Sequence, residues 1–135
     1  MILIVDSGAT KSDWIALDSM GNQLFLTQTL GLSPEVLTKE VIEDRLANNF
    51  ELSKNREIVT HLHFYGAGCG TNRMKLFLKD IFKQFFPNAK ADVKEDTYAA
   101  IFATTKIGMQ GIVCILGTGS NCSYYDGHQL FQKVT

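Results

Sequence analysis

The apolar run Ile2 to Val5 leads directly into Asp6-Ser7-Gly8-Ala9-Thr10-Lys11, and a second apolar stretch follows. Backbone N–H groups in such a turn can come close to an anionic oxygen, because glycine carries no Cβ. Thr10 adds a hydroxyl and Lys11 a cation. Near the other end, Gly117-Thr118-Gly119-Ser120-Asn121 again follows an apolar run. Two such loops facing each other across a cleft could hold a polyphosphate from both sides; each alone also reads as an ordinary β-turn. Asp6 would repel a polyphosphate unless a cation stood between them. Mg²⁺ keeps several waters and is often held through one or two carboxylates plus substrate phosphates. Asp6 suits that role, directly or through water. Its alternative is a hydrogen bond to its own turn, and Lys11 reads equally well as a solvated turn residue.

Two other stretches carry candidate chemistry. Asp96 stands where a strand expected over 89–95 meets a helix expected over 96–107. In a sheet whose strand ends converge on a ligand cleft, a carboxylate there could accept the proton of a sugar hydroxyl attacking a phosphate. General-base help of that kind is worth roughly 10²–10⁴-fold in rate. Asp is also a favoured helix N-cap, with Thr97 competing for the position. Gly66-Ala67-Gly68-Cys69-Gly70 ends another strand, where glycines let the backbone approach a small ligand. It is GxGxG and not the dinucleotide GxGxxG, and no strand-end acid lies about 20 residues on. The first turn is not a Walker loop either, since Lys11 leads into a strand instead of a helix.

Composition excludes several classes. The 135 residues are 45% hydrophobic and 20% charged, values of a globular domain able to bury a core. A net charge of −1 and the lack of Lys/Arg runs argue against nucleic acid or a charged membrane surface as partner. The opening apolar run is too short for a signal peptide, and no segment approaches a membrane span, so a cytoplasmic protein is expected. Three cysteines, Cys69, Cys114 and Cys122, show no CxxC spacing and read as buried thiols. His61 and His63 alternate along a strand and read as occupants of one sheet face.

The elements that must position these residues follow from period and turn chemistry. Strands are expected at 2–6, 12–19 and 22–30, with Ser19 to Asn22 as a hairpin turn. A helix follows, capped by Ser33 with Pro34 in its first turn and Val36, Leu37, Val41, Leu46 and Phe50 on its apolar side. Residues 53–57 read as a loop and 58–68 as a strand ending in glycines. Met74, Phe77, Leu78, Ile81, Phe82 and Phe85 recur at helical spacing before Pro87. The order is three strands, helix, strand, helix, strand, helix, closed by Gly108 as a C-terminal cap. A strand–turn–strand–turn–strand then repeats the opening. Both copies reach Gly-x-Gln-Leu-Phe, at Gly21 to Phe25 and Gly127 to Phe131, which points to an internal duplication cut short in its second copy.

Taken together, "DSGATKSDW", "YGAGC", "EDTYAA" and "LGTGSN", in this order and spacing, resemble the sugar-kinase/actin/Hsp70 superfamily. More narrowly they resemble its N-acetylglucosamine kinase and BadF/BadG-type ATPase group, over essentially the whole chain. The resemblance implies an α/β, ribonuclease-H-like (actin-like ATPase) domain with a mixed five-stranded sheet flanked by helices. Residues 1–108 would form that domain and 109–135 the opening of a second one, the ATPase domain. It implies ATP and Mg²⁺ as cofactors and phosphoryl transfer to the 6-hydroxyl of N-acetylglucosamine or a related amino sugar. Carried over by motif, Gly8, Ala9, Thr10 and Lys11 form the first phosphate loop, and Gly117, Thr118, Gly119 and Ser120 the second. Asp6 lies near the magnesium and Asp96 is the base. Ser33, Gly66, Ala67, Gly68 and Asn121 line the sugar pocket. In the loop "GLSPEVL" (31–37) the kinases usually carry a sugar-contacting Asn where this sequence has Ser33 and Glu35, which leaves the sugar's identity open, as is a homodimeric assembly. The 135 residues alone are expected to be inactive. The alternatives are a BadF/BadG-type ATPase activator and a non-catalytic sugar or nucleotide sensor of the same fold.

Overall fold

The computed structural model describes residues 1–95, and the strand backbone at 111–116, 120–125 and 130–134. The chain divides into two compact units, Met1–Glu95 and Asp96–Thr135. The helix expected over 96–107, its cap Gly108 and the expected domain boundary there lie outside the described residues.

In the first unit, β1 (Ile2–Ser7) and β2 (Lys11–Leu17) form an antiparallel hairpin, and β3 (Gln23–Leu30) continues it. The run at Ile2 to Val5 is apolar throughout, yet its burial alternates as a strand with one covered face requires. Leu3, Val5 and Ser7 are buried, as are Ser12, Trp14 and Ala16 opposite them, while Ile4 is half-buried and Ile15 exposed. β4 (His61–Gly66) joins β1 in parallel and β5 (Lys90–Glu95) joins β4 in parallel. The mixed sheet has the order β3-β2-β1-β4-β5. His61 and His63 share the face opposite the core side chains Leu62 and Phe64.

The region between β3 and β4 departs from the single helix expected after Ser33. Residues 34–36 form a turn, closed by one helix-like bond from Leu37 N to the Ser33 carbonyl at 3.1 Å. Helix α1 spans Lys39–Ala47, capped by Thr38, and α2 spans Phe50–Asn55, capped by Asn49. The physical reason is local. Asparagine and threonine side chains bond nearby backbone as readily as a helix does. Asn49 Oδ1 accepts from Leu52 N at 3.0 Å, while its amide donates to Thr27 Oγ1 at 2.9 Å and to the Gln28 carbonyl at 3.0 Å. That one side chain starts the second helix and ties its N-terminus to edge strand β3. The core contribution comes from Ile42, Leu46 and Leu52, whereas Val36 and Phe50 are exposed.

Helix α3 (Asn72–Phe85) follows its predicted stripe, with Leu78, Ile81 and Phe82 buried and Thr71 as N-cap. Its aromatics lock the helix to the sheet: Phe64 and Phe82 have centroids 5.1 Å apart, and Trp14 and Phe86 6.4 Å. Such ring pairs add about 0.5–1.5 kcal/mol beyond their burial. In the second unit β6 (Gly111–Leu116), β7 (Ser120–Tyr125) and β8 (Leu130–Val134) form an antiparallel sheet in the order β6-β7-β8. This repeats the connectivity of β1-β2-β3. Among the described residues no helix is long and apolar enough to cross a membrane.

Candidate active site

Strand direction decides what meets at the sheet's edge. β1, β4 and β5 run parallel, so their C-terminal ends lie side by side, and the β1–β2 turn and the end of β3 lie at that same edge. The register makes this explicit: Ser7 pairs with Ser12 and with Gly66, Gly66 pairs with Glu95, and Lys11 pairs with Leu30. The sequence-predicted residues Asp6, Gly8 to Lys11, Ser33 and Gly66 to Gly68 are thus gathered from segments up to about 60 positions apart in the chain. Asp96 directly follows Glu95 but lies, with Gly117, Thr118 and Gly119, outside the described residues. Ser120 and Asn121 open β7, opposite Leu116 and Ile115.

The first turn is held from within and from behind. Gly8 N donates to the Lys11 carbonyl at 2.9 Å, so that N–H is committed to closing the turn. Ala9 and Thr10 are exposed, and their N–H groups, the Thr10 hydroxyl and the Lys11 ammonium are the donors available to an anion. Behind the turn lies a buried hydroxyl pair. Ser12 Oγ donates to Ser7 Oγ at 2.7 Å, and Leu32 N donates to the same Ser7 oxygen at 3.2 Å. Gly31 N donates to the Thr10 carbonyl at 2.9 Å, and Ala67 N to the Ser7 carbonyl at 2.8 Å. The β4 loop is therefore stitched to the end of β1.

Ser33 is only 8% exposed, its hydroxyl packed against the backbone of Gly68. Gly68 has φ +79°, the left-handed region that glycine enters without strain. The segment 31–35 consequently touches both the β1–β2 turn and the glycine loop after β4.

Asp6 points to the outer face of the sheet, directly across from Asp13 on β2 and beside Tyr65 on β4. Its carboxyl is raised above the ordinary aspartate value, first by partial burial and then by the charge of Asp13, with Lys11 pulling the other way. Lys11 Nζ stands 3.9 Å from Asp13 Oδ2, and Gln28 Nε2 donates to Asp13 Oδ1 at 2.6 Å. Burial, and then Asp92, raise the Tyr65 phenol in turn. Two facing carboxylates beside a turn of N–H donors fit the way Mg²⁺ binds together with phosphate. Among the described residues no group of three or more His, Cys, Asp or Glu is arranged to hold a metal without such a partner.

Sequence reasoning missed Asp13, Gly31 and the Ser7/Ser12 pair. For Asp13 a signal existed: a four-residue connection from Ser7 to Ser12 fixes the hairpin register and places Asp13 across from Asp6. Gly31 had none, because its neighbours are distant in sequence. Cys69 is buried, as expected.

No protein-family model and no curated protein matches the sequence. Among solved structures the chain is similar to a crystal structure titled as the "Putative N-acetylglucosamine Kinase" from Porphyromonas gingivalis. The identity is 31% and the TM-score 0.84, with 100% of this chain and 48% of that one covered. The chain thus spans about half the length of that solved relative. With its mixed five-stranded sheet and packed helices, the first unit has the ribonuclease-H-like, actin-like fold, and the likeness to that solved structure is one of fold and of sequence together.

Proposed function

We propose that this chain supplies the first phosphate loop and part of the acceptor pocket of an ATP-dependent sugar kinase. The substrate would be the 6-hydroxyl of N-acetylglucosamine or a related amino sugar. The observation that carries this reading is the convergence, at one edge of one sheet, of Asp6, the Gly8–Lys11 turn, the Gly66–Gly68 loop and the strand end at Glu95. The similarity to a structure titled as such a kinase supports it.

In this reading residues 1–108 form the first domain and 109–135 begin the second. Ala9 and Thr10 N–H groups and Lys11 hold phosphate oxygens, joined by Gly117 to Ser120. Asp6, with Asp13 opposite, would hold Mg²⁺, directly or through water, and the ion when bound would offset charge on the phosphates. Gly66, Ala67, Gly68, Ser33 and Asn121 shape the sugar site. Asp96 accepts the proton from the attacking hydroxyl, which leaves positioning and charge stabilisation as the remaining work.

The test is a coupled assay of ADP release, run on the protein at its full genomic length against hexoses and N-acetylhexosamines. Asp96→Asn should lower turnover by roughly 10²–10⁴-fold while leaving sugar and nucleotide binding largely intact. A response no sugar changes would favour the sensor, and an unchanged Asp96→Asn rate would reduce Asp96 to a helix cap.

A further inference from the structure

Gly31 directly follows β3 and opens the loop that runs through Ser33. A Cβ built on it would stand 2.6 Å from the Ala9 carbonyl oxygen and 2.8 Å from that of Gly8. Both are backbone atoms of the first turn, and neither can swing aside as a side chain would. Only glycine at 31 allows the β3–α1 crossover to lie flat against the back of that turn. Gly31 is also hydrogen-bonded on both sides, through its N–H to the turn and through its carbonyl to α1. Gly31 N donates to the Thr10 carbonyl at 2.9 Å, and Arg45 Nη1, reaching from α1, donates to the Gly31 carbonyl.

Arg45 has no carboxylate partner among the described residues, so its charge is directed at this peptide unit. A donor that is charged makes the stronger kind of hydrogen bond. The chain Arg45–Gly31–Thr10 therefore runs from the helix layer to the donor-bearing tip of the turn.

We infer that Gly31 and Arg45 are positioning residues for the first phosphate loop: they fix the Ala9 and Thr10 N–H groups without touching the ligand. The inference rests on the kinase reading for the identity of that ligand, but not for the mechanical link itself. Misplacing bound groups by about an ångström can cost up to roughly 10²-fold, and the Gly31 Cβ would push on the turn before anything else. The Gly66–Gly68 loop is held by Ser33 and its neighbours, further along the chain, and by the Ser7 carbonyl, and not by Gly31 itself. The effect should thus fall on nucleotide more than on sugar.

The experiment uses Gly31→Ala and Arg45→Met in the full-length protein; the second keeps an apolar stem and removes only the donor. Amide hydrogen exchange at Gly8, whose N–H closes the turn, reads the mechanical link. Titration with MgATP and steady-state kinetics read its use. Both variants should lose Gly8 protection by about tenfold or more. They should also raise KM for ATP about tenfold, with KM for the sugar changed by less than about threefold. Should Gly31→Ala fail to fold, Arg45→Met carries the same test, and Arg45→Lys should restore part of both readouts. Unchanged Gly8 protection in the folded variants overturns the link, whatever the nucleotide does. Lost protection with unchanged MgATP affinity shows a purely structural contact and overturns the positioning role. A wild-type protein that binds no MgATP defeats the kinase reading, and the phosphate role of Gly31 falls with it, while the Gly8 readout still decides the link.

Discussion

Replacing Ser7 by alanine tests how the edge of the sheet is held together. Ser7 Oγ accepts two hydrogen bonds in a buried setting, from Ser12 Oγ at 2.7 Å and from Leu32 N at 3.2 Å. Without it the Leu32 N–H loses its acceptor away from water, a cost of about 1–3 kcal/mol. The Ser12 hydroxyl keeps a weaker acceptor in the Leu30 carbonyl at 3.4 Å, so its loss is about 1 kcal/mol or less. Together Ser7→Ala should destabilise the first unit by about 1–4 kcal/mol, a large share of the roughly 5–15 kcal/mol that holds a domain folded. Ser12→Ala removes only a donor and leaves the Leu32 bond intact, so about 1 kcal/mol is expected. At this domain size each kcal/mol moves the melting point by about 4–8 °C. The chain has one tryptophan, Trp14, 1% exposed in the core of that unit. Its fluorescence during urea unfolding therefore reports the sheet alone. In the double variant Ser12→Ala should add little once Ser7 is gone, because its main acceptor has already vanished. Equal costs for the two single variants, or costs that simply add, would refute the shared-acceptor reasoning.

Three further outcomes can be checked with the same tools. Asp6 has its folded pKa raised, so its ionised form is a net cost, absent when the group is protonated and present once the pH rises through that value. Asp6→Asn should accordingly stabilise the ligand-free protein at pH 7, by well under about 1 kcal/mol given solvent screening. The gain should disappear as the pH falls below the ordinary carboxylate range, and Mg²⁺-dependent nucleotide binding should weaken; a destabilised Asp6→Asn at pH 7 would contradict the account. Gly68→Ala should cost about 1–2 kcal/mol for the left-handed backbone, and more for the collision with Ser33, as read by urea midpoint. Thr71→Ala removes the oxygen that accepts from Met74 N at 3.2 Å, and should cost about 1 kcal/mol without affecting ligand affinity.

Much of this molecule is legible from local rules. Period-two alternation, the Ser19–Asn22 turn and the stripe from Met74 to Phe85 predict the strands, the hairpin and α3, because each depends on neighbours a few residues away. The same rules failed between Ser33 and Asn55. There Pro34 and the apolar spacing favoured one long helix, but Asn49 found acceptors at Thr27 and Gln28 on β3 and a donor in Leu52 N, and a second helix starts from it. Tertiary bonding outweighed a propensity worth only tenths of a kcal/mol per residue.

The candidate site divides the same way. By itself the sequence determined the types of the reactive residues and the turns that carry them, since a strand–glycine–strand pattern is encoded within a dozen positions. Only the tertiary structure decided that parallel pairing of β1 with β4 and of β4 with β5 brings Asp6, Gly66 and Glu95 to one edge. It alone showed Asp13 facing Asp6, and Gly31 lying against the carbonyls of Gly8 and Ala9 more than twenty positions away. Register and close approach between distant segments depend on how the whole core packs, and no local pattern of residues records them.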